Sequence, residues 1–161
     1  MDKFEFIKSK IVEKESLFRL INYWRFSNKA IVFTNGCFDI IHRGHIEYLA
    51  KAANEGDILI IGLNSDISVK QIKGSNRPIQ DEYSRALVLA SFSFVNNVII
   101  FKEETPYDLI NFIKPDVIVK GSDYKPEDIV GSDIVISNGG KVVTINYVEG
   151  YSTTNIISNL K

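Results

Sequence analysis

AIVFTNGCFDIIHRGHIEYLAKAAN, Ala30–Asn54, is the stretch whose reading decides the fold. AIVFT (30–34) is a short, apolar, β-branched run of the kind found in strands buried on both faces. GHIEYLAKAAN (44–54) then repeats its apolar positions at helical spacing, so a strand, a tight turn and a helix follow one another. Outward from there, DILIIGL (57–63), NVIIF (97–101), DVIVK (116–120) and KVVTI (141–145) repeat the strand signal. Helical periodicity returns over 81–93, 106–114, roughly 127–138 and 152–160. Strands alternating with helices predict an α/β chain: a doubly wound, parallel, five-stranded sheet with helices on both faces. Upstream, Leu17, Leu20, Ile21 and Trp24 form one stripe, so residues 1–28 read as a helical extension packed on a domain spanning 29–161.

Composition narrows the function classes. At 161 residues, 45% hydrophobic and 24% charged, the chain is long enough to bury one continuous core. Its formal charge of −1 provides no general field for nucleic acid or an anionic membrane, so any phosphate binding must be local. Cys37 is the only cysteine, which excludes an internal disulfide and any multi-cysteine metal site and suits a reducing compartment. The N-terminal residues MDKFEFIKSKIVEKES carry charge throughout and no apolar core of a signal peptide, and the apolar runs are of strand length. The expected location is the cytoplasm.

A parallel sheet of this kind binds ligands outside the carboxyl ends of its strands, where the strand order reverses. The residues that follow each strand are therefore the candidates. After the first comes TNGCFDIIHRGH (34–45), which holds both histidines of the chain, three residues apart. A helix beginning near His42 would place His42 and His45 on one side, one turn apart, beside unpaired backbone N–H groups that favour an anion. Gly44 between them would let a ligand approach the backbone. The chemistry implied is stabilisation of charge building on a phosphoryl group, by imidazole donors and amides together. The alternative is an N-cap with two surface histidines. Zinc ligation by the pair would need Asp39, Cys37 or a distant carboxylate as a third ligand. Nicotinamide dinucleotide binding lacks its G-x-G-x-x-G turn.

NSD (64–66) follows the second strand and makes Asn64 a candidate substrate contact. Residues 64–80 read as one long connection, whose Lys70, Lys73, Gly74, Arg77 and Pro78 suggest a flap that grips phosphate. KGSDY (120–124) follows the fourth strand, where Lys120 and Asp123 could meet phosphate and ribose or be a surface lysine and a turn aspartate. GYSTTN (150–155) opens the last helix with Ser152, Thr153 and Thr154, either as a phosphate site or as a plain N-cap. Arg85 in EYSRA could reach the ligand edge or form an exposed ion pair.

With these pieces in place, the sequence resembles the cytidylyltransferase-like nucleotidyltransferase superfamily, marked by H-x-G-H after the first strand, here His42, Arg43, Gly44 and His45. TNGCFDIIHRGHIEYL, NSDISVKQIKG, RPI followed by EYSRA, FKEETPYDLI, PDVIVKGSDY, GGKVVTI and GYSTTNII narrow it to the branch that makes ADP-heptose. The resemblance spans residues 29–160. It implies a Rossmann-like fold and a reaction in which ATP and D-glycero-β-D-manno-heptose 1-phosphate give ADP-heptose and pyrophosphate, with Mg²⁺ accompanying ATP in a homodimer. A length of 161 residues suggests a transferase without the sugar kinase often fused to it.

By the same resemblance, Thr34, Asn35, Gly36, Cys37, Phe38 and Gly44 should line the nucleotide, and His42 and His45 should bind phosphate oxygens. Lys73 and Arg77 would close over the phosphates, and Asp39 would meet the sugar phosphate or metal-bound water. Lys120, Gly121 and Asp123 should contact nucleotide and sugar, and Ser152, Thr153 and Thr154 the terminal phosphates. Asn64 and Arg85 complete the substrate set. Ser122 departs from the family's usual second glycine at that point. The rivals are a glycerol 3-phosphate or other polyol-phosphate cytidylyltransferase, which shares H-x-G-H, and a non-catalytic nucleotide-binding module.

Overall fold

The computed structural model describes residues 2–123, 125, 128–146 and 156. Five strands form one sheet: β1 (Ile31–Gly36), β2 (Ile58–Asn64), β3 (Asn97–Phe101), β4 (Val117–Gly121) and β5 (Lys141–Ile145). They run parallel in the order β3-β2-β1-β4-β5. The chain builds outward from β1 to β3, then crosses back to lay β4 against the other side of β1. The switch point is therefore the gap between β1 and β4, the place where such sheets receive ligands.

Side chains alternate between the two faces along each strand, and the helices divide accordingly. On one face, Ile31, Phe33, Ile58, Ile60 and Ile118 pack with Leu17, Ile21 and Trp24 of α2 (Lys14–Phe26). Leu109, Ile110 and Ile113 of α6 (Tyr107–Ile113) and Ile134 and Val135 of α7 (Ser132–Ser137) join the same core. On the other face, Val32, Leu59, Ile61, Leu63 and Val119 meet Tyr48, Leu49 and Ala52 of α3 (Arg43–Ala53), with Ala86, Leu89 and Ala90 of α5 (Glu82–Ser91). Close packing shows at Gly62, where an added Cβ would lie 2.7 Å from the Phe33 ring of β1 and 3.2 Å from Leu109 of α6.

The N-terminal stripe is a cover, as its spacing predicts, and the segment between its two helices has a further use. After α1 (Lys3–Ser9), residues 10–12 run beside β3: the Val98 amide donates to the Lys10 carbonyl and the Val12 amide to the Val98 carbonyl. An otherwise open sheet edge is thereby paired.

Two expectations are corrected. Residues 64–80 are not one long loop, because α4 (Asp66–Lys73) forms inside them. Ser65 caps it by accepting from the Ser68 amide, and Val69 is its buried apolar anchor, while Ile67 and Ile72 stay exposed. Nor is β5 buried on both faces: at the sheet edge, only Ile145 among its residues is fully buried. Of the expected helix at 152–160, only Ile156 is among the described residues.

Candidate active site

Asn35 and Gly36 end β1 at the switch point, and the turn from Cys37 to Ile41 leads into α3. Phe38 takes a left-handed backbone conformation in this turn, with φ 45°, which costs free energy in a residue with a side chain. Its ring is buried against the edge of His45, with centroids 5.3 Å apart, and against Gly36, where an added Cβ would stand 3.1 Å from it. The strained residue thus wedges the turn between strand and helix.

His42 is the N-cap of α3. His45 lies in the first turn, and the two rings stack with centroids 3.8 Å apart and planes 26° apart. Two imidazolium ions would repel strongly at that distance. Burial accordingly pushes the His45 pKa down to about 4, helped by His42 and Lys73 and opposed by the Ile40 backbone. Burial also lowers that of His42. Both rings are therefore neutral near pH 7, each offering one N–H donor. Gly44, between them, is buried.

Lys73 closes α4, and its charge is felt at both His45 and Cys37, which puts an exposed ammonium on the side of the histidine turn. Lys120 is the last residue but one of β4, across the switch point. Burial lowers its pKa to about 8, with Asp123 and Cys37 acting in the opposite sense. Gly121 is buried and Asp123 exposed. Burial raises the pKa of the half-buried Cys37 thiol, against the pull of Lys73, Arg85 and Lys120, so the thiol is a poor nucleophile here. Oδ1 of Asn35 is buried without a hydrogen-bond partner among the described residues, the kind of orphan that a ligand or water satisfies. Histidines, two lysines and the β1 turn thus converge at one edge; Ser152, Thr153 and Thr154 lie outside the described residues.

The rest of the set is more deeply engaged with the protein. Thr34 is fully buried and bonds Tyr48 Oη at 2.8 Å, so only its backbone is left for a ligand. Asn64 is 4% exposed and donates through Nδ2 to Ser68 Oγ at 2.9 Å, bracing α4. Arg77 donates to Asp39, and the Asp39 carboxylate is buried. Arg85 is neither an exposed ion pair nor a side chain projecting into the crevice: it is 0% exposed and hydrogen-bonded to three carbonyls and Asp66.

Tyr48 is the residue that sequence reasoning missed. It stands one turn beyond His45, donates to the Val119 carbonyl at 3.0 Å and accepts from Thr34, so one phenol ties the histidine helix to both β1 and β4. Helical spacing marks it as facing the core. Its partner in β4 is 71 residues away, beyond the reach of any local pattern.

The chain is 53% identical over 154 residues to bifunctional protein HldE of Campylobacter jejuni subsp. doylei, covering 96% of this chain and 32% of that protein. Bifunctional protein HldE of Syntrophotalea carbinolica is 49% identical over 152 residues, covering 94% and 31%. The chain thus spans about a third of the length of these relatives. Among solved structures, the lipopolysaccharide core biosynthesis protein of Thermoplasma volcanium superposes with a TM-score of 0.59 at 28% identity, covering 77% of this chain and 99% of that one. Pantoate-beta-alanine ligase of Francisella tularensis shares the fold, with a TM-score of 0.60 at 16% identity, covering 93% and 76%. Residues 33–159 match the cytidylyltransferase-like family, and with most of its length inside that match the chain belongs to this family of nucleotidyltransferases.

Proposed function

We propose that this chain is a sugar-1-phosphate adenylyltransferase, joining ATP to D-glycero-β-D-manno-heptose 1-phosphate to give ADP-heptose and pyrophosphate. The observation that carries the reading is the stacked pair His42 and His45 at the start of α3, which follows the turn after β1, with the Lys73 charge felt at His45. Similarity to the HldE proteins and to a lipopolysaccharide core biosynthesis protein supports the sugar class.

In this mechanism an oxygen of the sugar 1-phosphate attacks the α-phosphorus of ATP. A new P–O bond forms as the bond from the α-phosphorus to its bridging oxygen breaks, and pyrophosphate leaves with that electron pair. The attacking phosphate is already anionic, so no strong base is needed. Catalysis lies in orientation and in stabilising crowded negative charge. Neutral His42 and His45 donate hydrogen bonds to phosphoryl oxygens, Lys73 approaches from α4, and Lys120 from β4. The β1 turn supplies backbone groups along Asn35–Phe38.

Among the described residues no three His, Cys, Asp or Glu side chains gather into a cation site. Mg²⁺ accompanying ATP would supply charge neutralisation on the phosphates. The reading takes the working form as a cytoplasmic homodimer. No helix among the described residues is long and apolar enough to cross a membrane.

The test is pyrophosphate release with ATP, CTP, GTP and UTP, each against heptose 1-phosphate, glycerol 3-phosphate and other sugar phosphates. ATP with the heptose 1-phosphate should be the productive pair, and His45→Ala should lose about 10²–10³ in rate while remaining folded. Turnover only with CTP and glycerol 3-phosphate would overturn the substrate assignment. Normal turnover by His45→Ala would remove the histidine from the mechanism.

A further inference from the structure

We propose that Asp39 and Arg85 are positioning residues, two buried ionic clasps that hold the segment after Lys73 against the histidine turn, and that neither contacts a substrate. The kinetic part rests on the nucleotidyltransferase reading; the structural part does not.

Arg85 stands out among the largest fully buried side chains because all the others are apolar. Burying a guanidinium is costly unless its donors are satisfied, so its partners are informative. Its Nη1 donates to the Cys37 carbonyl at 2.5 Å and the Asn64 carbonyl at 2.9 Å. Nε donates to the Gln80 carbonyl at 3.0 Å and Nη2 to Asp66 Oδ1 at 2.8 Å. One rigid fork on α5 thereby joins the turn after β1, the end of β2, the first turn of α4 and the end of the loop after α4. A lysine, with a single point of charge, cannot reproduce that pattern.

Asp39 completes the arrangement from the opposite side. At 2% exposure it accepts from Arg77 Nη1 at 2.5 Å, from the Ile79 amide at 2.7 Å and from the Gln80 amide at 3.2 Å. Three donors on a carboxylate with almost no accessible surface leave little room for a sugar phosphate or a metal-bound water. The clasps meet at Gln80, whose N–H is held by Asp39 and whose carbonyl is held by Arg85. Both also reach the histidine turn, Asp39 by belonging to it and Arg85 through Cys37. The loop that returns from Lys73 is therefore tied to the residues that carry His42 and His45, so a displacement of one is transmitted to the other.

Asp39→Asn, Arg77→Ala, their double variant, and Arg85→Lys test this in the full chain. Hydrogen exchange by mass spectrometry, without substrates, should show residues 74–80 exchanging about tenfold faster in Asp39→Asn and Arg85→Lys, while the strands stay protected. In pyrophosphate release, kcat should fall about 10²-fold, with KM for either substrate little changed. The double variant should be no slower than the slower single, because both changes break one clasp. Asp66→Asn, at a partly exposed partner of Arg85, tests the second clasp should Arg85→Lys fail to fold. Wild-type exchange in Asp39→Asn, or a raised KM for the sugar phosphate with losses that multiply in the double variant, would overturn the proposal. If the unaltered chain releases no pyrophosphate with any nucleotide, the enzymatic reading fails, and exchange alone decides the clasps.

Discussion

His45→Gln should flatten the acid dependence of stability. In the folded chain the imidazole is forced to stay neutral, with its pKa moved from 6.5 to about 4 by burial first and then by His42 and Lys73. Unfolding returns it to water, where it takes up a proton below 6.5. Between those limits the unfolded chain binds more protons, so stability falls as the pH drops through 6.5 and stops falling on this account below about 4. At about 1.4 kcal/mol per pH unit, that gap comes to about 3 kcal/mol. A typical domain holds only about 5–15 kcal/mol in total, so the effect is large enough to read directly. The assay is urea unfolding at intervals from pH 7.5 to 4, for the unaltered chain and for His45→Gln, a neutral side chain of similar reach. The two stability curves should converge on acidification, the unaltered chain losing about 3 kcal/mol more than the variant over the window. The carboxylates titrate in both proteins and cancel in the difference. Parallel curves would show that His45 is solvated like a free imidazole, and the case for a neutral donor pair at the start of α3 would fall with it.

If Lys120 meets phosphate as proposed, its pKa lowered to about 8 should make nucleotide kcat/KM fall as pH rises through that value, since the free chain then loses that ammonium. Lys120→Arg keeps its charge and should remove that limb of the pH–rate profile; an unchanged limb assigns it to another group. Tyr48→Phe removes one hydroxyl and strands the Thr34 hydroxyl and the Val119 carbonyl in the core. This should cost about 1–3 kcal/mol in urea unfolding, and a variant as stable as the unaltered chain would show that the phenol is not needed to join α3 to the sheet.

The parallel α/β order was legible because it depends on short-range pattern. Five β-branched runs separated by periodic stretches admit few other arrangements, and the stripe of Leu17, Ile21 and Trp24 announced its burial by spacing alone. The part that escaped depends on which segments become neighbours. Asp66–Lys73 buries only Val69 of its three apolar residues and is followed by a glycine, so no apolar stripe marks it as a helix until Ser65 is seen capping it. KVVTI has the same composition as the central strands, yet its burial is set by lying at the edge of the sheet, a property of strand order rather than of the strand itself.

The polar site residues divide along the same line. Motif and position sufficed to bring His42 and His45 to the strand ends, because a helix start and an i, i+3 spacing determine where two side chains go. For Asp39, Asn64, Thr34 and Arg85 the residue type was informative and the orientation was not. A carboxylate next to a phosphate-binding turn can face the ligand or the backbone behind it. Which it does depends on whether another chain segment brings donors to it, as residues 77–80 bring Arg77 and two amides to Asp39. A buried arginine follows the same logic: its charge is tolerable only where several carbonyl-bearing strand and loop ends converge, and the carboxyl edge of a parallel sheet is such a place. Here Arg85 meets the Cys37, Asn64 and Gln80 carbonyls behind the turn that leads to His42 and His45, so charged residues lie both at this edge and beneath it. A motif cannot say to which layer a charged residue belongs, but its burial can.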